Sequence, residues 1–249
     1  MNFVDSRGPA LIIDDLLSRE DFNLVGRYVQ DERYEFVHRQ EWVKAWRLND
    51  GTPLRGPATL SHKNSTDRVS RVFPTGLGID ILIGRLIELE EALVPWSGKL
   101  SVDWSYFFCR PYIYPAGAAL SWHRDNQHNT TAAFTFYCHP VWNVAWGGEL
   151  LLAGPESKEF ELPTVELFGG EKRFIGTHLD NTAENDALLS DGIGQYILPK
   201  PNRLVVVPMG LFHCIKRVEA AAGLAVRMTL QGTFMDPDRN TRISAEVHP

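Results

Sequence analysis

Apolar positions recur at helical spacing in two places in the first hundred residues. From residue 100 onward they gather instead into short runs of aromatic and β-branched residues cut by turn signals. Phe22, Val25 and Val29 fall on one face of a helix that Ser18 opens, with Asp21 three positions on as in a capping box, and the pattern fades near Gln30. A second helix is predicted over 78–93, where Ile79, Leu82, Ile83, Leu86, Leu89 and Leu93 share a face and Pro95 closes the run. Both read as supports for a sheet. Between them, residues 50–76 are rich in Gly, Pro, Ser and Asn and read as extended loop.

Strands are predicted near 103–112, 120–124, 132–138, 149–152, 203–207, 214–218 and 226–234. With one or two short strands hidden from this pattern, the set fits a mainly β fold with N-terminal helices, a jelly roll of the cupin-like, double-stranded β-helix kind. The expected organisation is one domain over 1–249, with helical support at 1–99, a jelly-roll core at 100–236 and an insertion at about 154–198. The insertion holds Gly169-Gly170 and a polar tract over 180–186, with few alternating apolar residues. A long irregular segment inside a compact domain is usually functional or mobile, and a lid is the expectation.

Composition narrows the classes. The chain has 249 residues with thirteen Phe and seven Trp, enough to fill the interior of one all-β domain. A net charge of -6 with no run of Lys and Arg argues against a nucleic-acid partner, whose affinity would come from neutralising phosphates. Residues 1–15 carry Asp5, Arg7, Asp14 and Asp15 and lack the apolar core of a signal peptide. No stretch approaches the roughly 18–20 apolar residues of a membrane span, so no membrane association and a cytoplasmic location are expected. The cysteines Cys109, Cys138 and Cys214 are odd in number and unpaired in spacing, and read as buried free thiols. Oligomeric state is not legible.

The candidate chemistry starts at Trp122-His123-Arg124-Asp125, where His at i and Asp at i+2 on extended backbone point to one side and can share a cation. His-x-Asp alone is a weak signal. Far along the chain, His213 follows Leu204-Val205-Val206-Val207-Pro208, at the mouth of another buried strand. Two His and one carboxylate on one face leave three positions open, as in the facial triad of iron(II) oxygenases. Arg227 lies on a predicted strand; turned inward, its planar fork matches a carboxylate and suits a dicarboxylic acid.

The ordered series Tyr114-Pro115-Ala116-Gly117, Trp122-His123-Arg124-Asp125, Phe136-Tyr137 and Trp146-Gly147-Gly148-Glu149-Leu150 continues with 199–207, His213 and Arg227-Met228-Thr229-Leu230, and Phe234 closes it. This series resembles the prolyl-4-hydroxylase-like branch of the 2-oxoglutarate and iron(II) oxygenases over roughly half the chain. The resemblance implies that His123, Asp125 and His213 are the catalytic iron ligands and that Arg227 clasps the distal carboxylate of 2-oxoglutarate. It also implies that Tyr137 and Tyr114 donate hydrogen bonds to the co-substrate, with Thr229, on the same side as Arg227, lending another. Arg217 is the rival to Arg227, because the hairpin 219–223 is longer than usual in this branch. Asn126, Gln127 and His128 follow the metal strand directly and are candidates for substrate contact. His139 also lies near the expected site; His38, His62, His178 and His248 read as solvated. Trp122, Trp142 and Trp146 read as core, and Gly147-Gly148 as a turn.

What the resemblance implies for activity is an iron(II) dioxygenase, a hydroxylase that uses O2 and 2-oxoglutarate, releases succinate and CO2, and has ascorbate as a supporting reductant. Relatives that halogenate carry a small residue at the carboxylate ligand; Asp125 fills that position and favours hydroxylation. A small molecule such as an amino acid or a peptide natural product is the expected substrate. The alternatives are a residue in a protein substrate and a cupin-like metal-binding sensor without turnover.

Overall fold

The computed structural model describes residues 1–5, 8–37, 48–61, 71–125, 130–154, 165–166, 172–173 and 182–236. In chain order its strands are β1 (Asn2–Asp5), β2 (Leu11–Asp14), β3 (Glu35–Phe36), β4 (Leu54–Arg55), β5 (Thr59–Leu60), β6 (Arg71–Val72), β7 (Tyr106–Tyr114), β8 (Leu120–His123), β9 (Thr130–Tyr137) and β10 (Leu150–Ala153). They continue with β11 (Val165–Glu166), β12 (Lys172–Arg173), β13 (Gly194–Ile197), β14 (Leu204–Pro208), β15 (His213–Ile215) and β16 (Arg227–Met235). The helices are α1 (Arg19–Asp31), α2 (Ile79–Glu88), α3 (Glu90–Ser97) and α4 (Thr182–Asp191).

A large sheet runs in the order β1-β2-β14-β9-β16-β7-β4-β3, and a small one in the order β13-β10-β15-β8. From β7 onward the chain passes between the two in the winding of a double-stranded β-helix, as the sequence predicts. The outer face of the large sheet buries Phe107, Phe134, Phe136, Leu204, Val206, Leu230 and Phe234 against Val25 and Val29 of α1, Leu82, Ile83 and Leu86 of α2, and Leu93 of α3. Its inner face carries Tyr137, Val205 and Val207, which pack with Leu150 and Leu152 of β10 and Ile197 of β13. Strand β14 is apolar at every one of its first four positions because both of its faces are covered. Gly232 is required on β16: a Cβ there would lie 1.7 Å from the Phe108 carbonyl oxygen.

Helix α1 opens as read, with the Ser18 hydroxyl accepting from the Asp21 amide at 3.1 Å. The second predicted helix is two. Leu89 breaks it at φ -92 and ψ 4, so Pro95 falls inside α3 instead of ending the run. The helix survives the lost donor because the Gly98 amide still reaches the Val94 carbonyl at 2.9 Å, and Gly98, at φ 75, makes the stop.

Two further readings are corrected. The support is not only helical, since the fully buried β2 pairs with β14 and extends the large sheet. The segment expected to be an insertion up to residue 198 ends earlier: α4 and then β13 lie within it, and β13 is an edge strand of the jelly roll itself. Its burial alternates over only four residues, Gly194 to Ile197, which is too short for a periodic signal. The lid expected of 154–198 falls largely on residues outside those described. The loop read over 50–76 holds three two-residue strands, β4, β5 and β6, and residues 62–70 lie outside the described set. All three cysteines are free and buried. Among the described residues no helix is long and apolar enough to cross a membrane.

Candidate metal centre

His123 ends β8 and His213 begins β15, and the antiparallel register sets them directly opposite each other. Partners across a ladder project to the same face, so both imidazoles enter the space between the sheets. Their ring centroids are 4.2 Å apart. Asp125, just past the end of β8, brings its carboxylate oxygens to 3.7 Å from His123 Nε2 and 3.5 Å from His213 Nε2. Ligand atoms of all three lie within 4.8 Å of one another.

Backbone carbonyls hold both rings. His123 Nδ1 is 2.9 Å from the Ser121 carbonyl oxygen, and His213 Nδ1 is 2.9 Å from that of Leu211. A carbonyl only accepts, so each Nδ1 carries a proton and each Nε2 is left as the nitrogen that faces Asp125. Ser121 is fixed in turn: its hydroxyl donates to Asp50 Oδ1 at 2.6 Å and its amide to Oδ2 at 3.2 Å. Burial pushes His213 down, but the hydrogen bond and negative charge of Asp125 outweigh it and raise its pKa. A place that draws a proton in this way also draws a metal cation.

The second constellation is on β16. Arg227 is fully buried, and its Nε donates to the Gly148 carbonyl oxygen at 2.9 Å. Both terminal guanidinium nitrogens are buried with no hydrogen-bond partner among the described residues. The guanidinium carbon stands 5.0 Å from the Tyr114 ring centroid and 4.9 Å from that of Tyr137. The Tyr137 hydroxyl and Thr229 Oγ1 are buried nearby, likewise without partners among the described residues. Register explains the grouping, since Arg227 pairs with Tyr114, and Thr229 with both Tyr112 and Tyr137. Burial raises the Tyr114 hydroxyl pKa against the opposing charge of Arg227, so it remains a donor. Desolvating two guanidinium nitrogens without partners is costly, and the cost is relieved when a carboxylate arrives.

Arg217, the rival, is excluded from this role: its guanidinium is spent on the carbonyls of Gly117 and Asn49 at the surface. Gly148 has a function beyond the predicted turn. At φ 73, a Cβ there would meet Arg227 Cδ at 3.0 Å and Trp142 Cζ2 at 3.3 Å, so the missing side chain makes room for the arginine. Trp142 donates to the Gly147 carbonyl at 2.9 Å and packs edge-on against Trp146, a framework role for both. His139 is buried, donates to the Pro199 carbonyl at 2.7 Å and is pushed down to about 4 by burial. Asn126, Gln127 and His128 lie outside the described residues, as do His38, His62, His178 and His248.

Sequence reasoning missed several residues at this site. Asp50 sits in a stretch read as featureless loop. Gln195, with a buried Oε1 lacking a partner among the described residues, pairs with Leu152, which pairs with His213. That row across the small sheet shows only once β13 is known. Arg110 is the third, on the inner face of β7.

No family model matches the chain, and no curated protein matches its sequence. Solved structures match its fold. A prolyl-4-hydroxylase from Pseudomonas putida is 14% identical with a TM-score of 0.56, over 93% of this chain and 95% of that one. A prolyl hydroxylase from Trichoplax adhaerens, solved with a hypoxia-inducible-factor oxygen degradation domain peptide fragment, is 16% identical with a TM-score of 0.57, over 95% and 87%. An oxidoreductase of the 2OG-Fe(II) oxygenase family from Burkholderia pseudomallei is 10% identical with a TM-score of 0.58, over 91% and 85%. At these identities the likeness is one of fold.

Proposed function

We propose that this protein is an iron(II)- and 2-oxoglutarate-dependent dioxygenase that hydroxylates a C–H bond of a small molecule such as an amino acid or peptide natural product. The observation that carries the reading is Arg227, a fully buried guanidinium with two nitrogens lacking partners among the described residues, on the face toward which His123 and His213 also project. The donor set fits the metal: two imidazole Nε2 atoms and one carboxylate suit iron(II) and leave positions for a keto acid and O2. The buried donors fit the co-substrate, because a carboxylate matches a dry guanidinium fork flanked by hydroxyls in both charge and geometry.

His123, Asp125 and His213 hold the metal, and the carbonyls of Ser121 and Leu211 keep both rings aimed at it. Arg227 binds the distal carboxylate, with Tyr137, Thr229 and Tyr114 as hydrogen-bond donors. Iron(II) with bound 2-oxoglutarate supplies O2 activation and the oxidising power to hydroxylate carbon, with succinate and CO2 as co-products. The tyrosine rings on both sides of Arg227 exclude water and strengthen its hold on the carboxylate. Asp125 occupies the carboxylate ligand position, which supports hydroxylation over halogenation.

The test is succinate release by purified protein given iron(II), 2-oxoglutarate, ascorbate and O2, with and without candidate substrates. Turnover that requires iron and is stimulated by a substrate supports the reading. A protein that binds metal but neither binds nor consumes 2-oxoglutarate is a sensor instead.

A further inference from the structure

Across the small sheet, Gln195, Leu152, His213 and His123 form one row of paired residues facing inward. Across the large sheet, Val205, Thr135, Gln231 and Arg110 form another. Leu152 and Val205 share one buried cluster, and Leu120 and Ile215, the next row of the small sheet, share another with Tyr114 and Tyr112, which puts the two rows close in level between the sheets. The connections fix which ends meet. Residues 115–119 carry β7 directly into β8, and residues 198–203 carry β13 into β14, so β8 lies over β7 and β13 over β14. His123 and His213 therefore look across about 10 Å of intersheet space at Arg110 and Gln231.

Arg110 is only half-buried, yet its Nε is fully desolvated and has no hydrogen-bond partner among the described residues. None of the salt bridges among the described residues gives it a carboxylate. The site of Arg227 is a different one. Gln231, the partner of Arg110, is four residues farther along β16, about 13 Å of strand, so a carboxylate held at Arg227 does not also reach Arg110. An inward guanidinium whose Nε is desolvated and has no partner among the described residues is costly until an anion completes it.

We infer that Arg110 binds a carboxylate of the substrate, holding an acid between the two sheets with its reacting carbon over the His123–Asp125–His213 triad. The inference rests on the oxygenase reading and narrows its substrate class to compounds with a free carboxylate. Gln231 stands beside Arg110, against the Tyr114 side chain, and supplies a neutral donor next to the charged one. An acid gains a bidentate, charge-assisted contact here, and its carboxamide loses the charge and the fork match together.

The experiment is calorimetric titration of the Mn(II)- and 2-oxoglutarate-loaded protein, in which no turnover intervenes. The panel pairs free amino acids with their carboxamides, and short peptides bearing a free C-terminal carboxylate with the same peptides amidated, so that a free acid and a peptide terminus are told apart. At least one acid binds, and its amide binds about tenfold or more weakly. In Arg110→Gln that preference collapses to within about twofold; Arg110→Met, which keeps the apolar stem, does the same. The acid-to-amide ratio in the unmodified protein stands as a test even if both variants fold poorly. The inference is overturned if no acid binds, if acid and amide bind alike, or if the preference survives in a folded variant. Binding of 2-oxoglutarate itself is titrated first. Its failure refutes the oxygenase reading, whereas its success without an acid preference refutes only the assignment of Arg110.

Discussion

His123 and His213, ninety positions apart in the chain, are cross-strand partners on β8 and β15 with ring centroids 4.2 Å apart. Because a ladder sends paired side chains to one face, the register of two short strands determines whether a metal site exists at all. Asp125 closes the set from the loop that follows β8.

Arg227→Met separates ligand binding from stability. On the proposed contact between Arg227 and the 2-oxoglutarate carboxylate, truncation weakens co-substrate binding by about 100-fold or more. The ligand-free protein, relieved of two buried guanidinium nitrogens without partners among the described residues, is at least as stable as the parent and gains up to about 1 kcal/mol. Calorimetry and urea melts of the same preparation check both halves.

Gly148→Ala acts on the same arginine from the turn that precedes β10. A Cβ at φ 73 costs about 1–2 kcal/mol in backbone strain, and its 3.0 Å approach to Arg227 Cδ displaces the guanidinium. Thermal melting falls and 2-oxoglutarate affinity falls with it, while Mn(II) binding is retained.

Asp50→Ala tests how His123 is positioned. Losing both hydrogen bonds from Ser121 releases the segment whose carbonyl orients the ring, so Mn(II) affinity drops by about tenfold, as measured by electron paramagnetic resonance. Unchanged affinity would show that β8 pairing alone orients the ligand.

Asp14 sets an acid limit on stability. Burial would raise its pKa, but hydrogen bonds from Arg203 at 2.6 Å and Lys200 at 2.8 Å outweigh that and hold the carboxyl below its usual range. Its folded value lies below the unfolded one of about 3.9, so the stabilisation is complete above that pH and is lost as pH falls through the lower folded value. Asp14→Ala costs about 1 kcal/mol at pH 7, because Arg203 and Lys200 lose their carboxylate while Arg203 keeps its bond to the Leu198 carbonyl, and the difference from the parent narrows below about pH 4 in urea melts.

The grouping of His123, Asp125 and His213 was legible because His-x-Asp at the end of a strand is a local signal and His213 follows an unbroken apolar run. Arg227 was legible as an inward residue of an alternating strand. Arg110 and Gln195 were not, because their meaning is relational. One acquires it from the stacking of β7 under β8, the other from pairing through a four-residue strand that carries no periodic pattern. Asp50 was hidden for a related reason: a carboxylate in an irregular stretch reads as solvated until Ser121 is seen above it. The break between α2 and α3 shows the reverse error, in which one continuous apolar stripe ran over a joint at Leu89 that the stripe does not record.

Whether the triad and Arg227 form one site is decided by an anaerobic titration of 2-oxoglutarate into the protein with and without Mn(II), and into His213→Ala. Tight binding that requires the metal and collapses in the variant is the predicted result. No binding to the metal-loaded protein, or equal affinity in all three samples, would contradict the account.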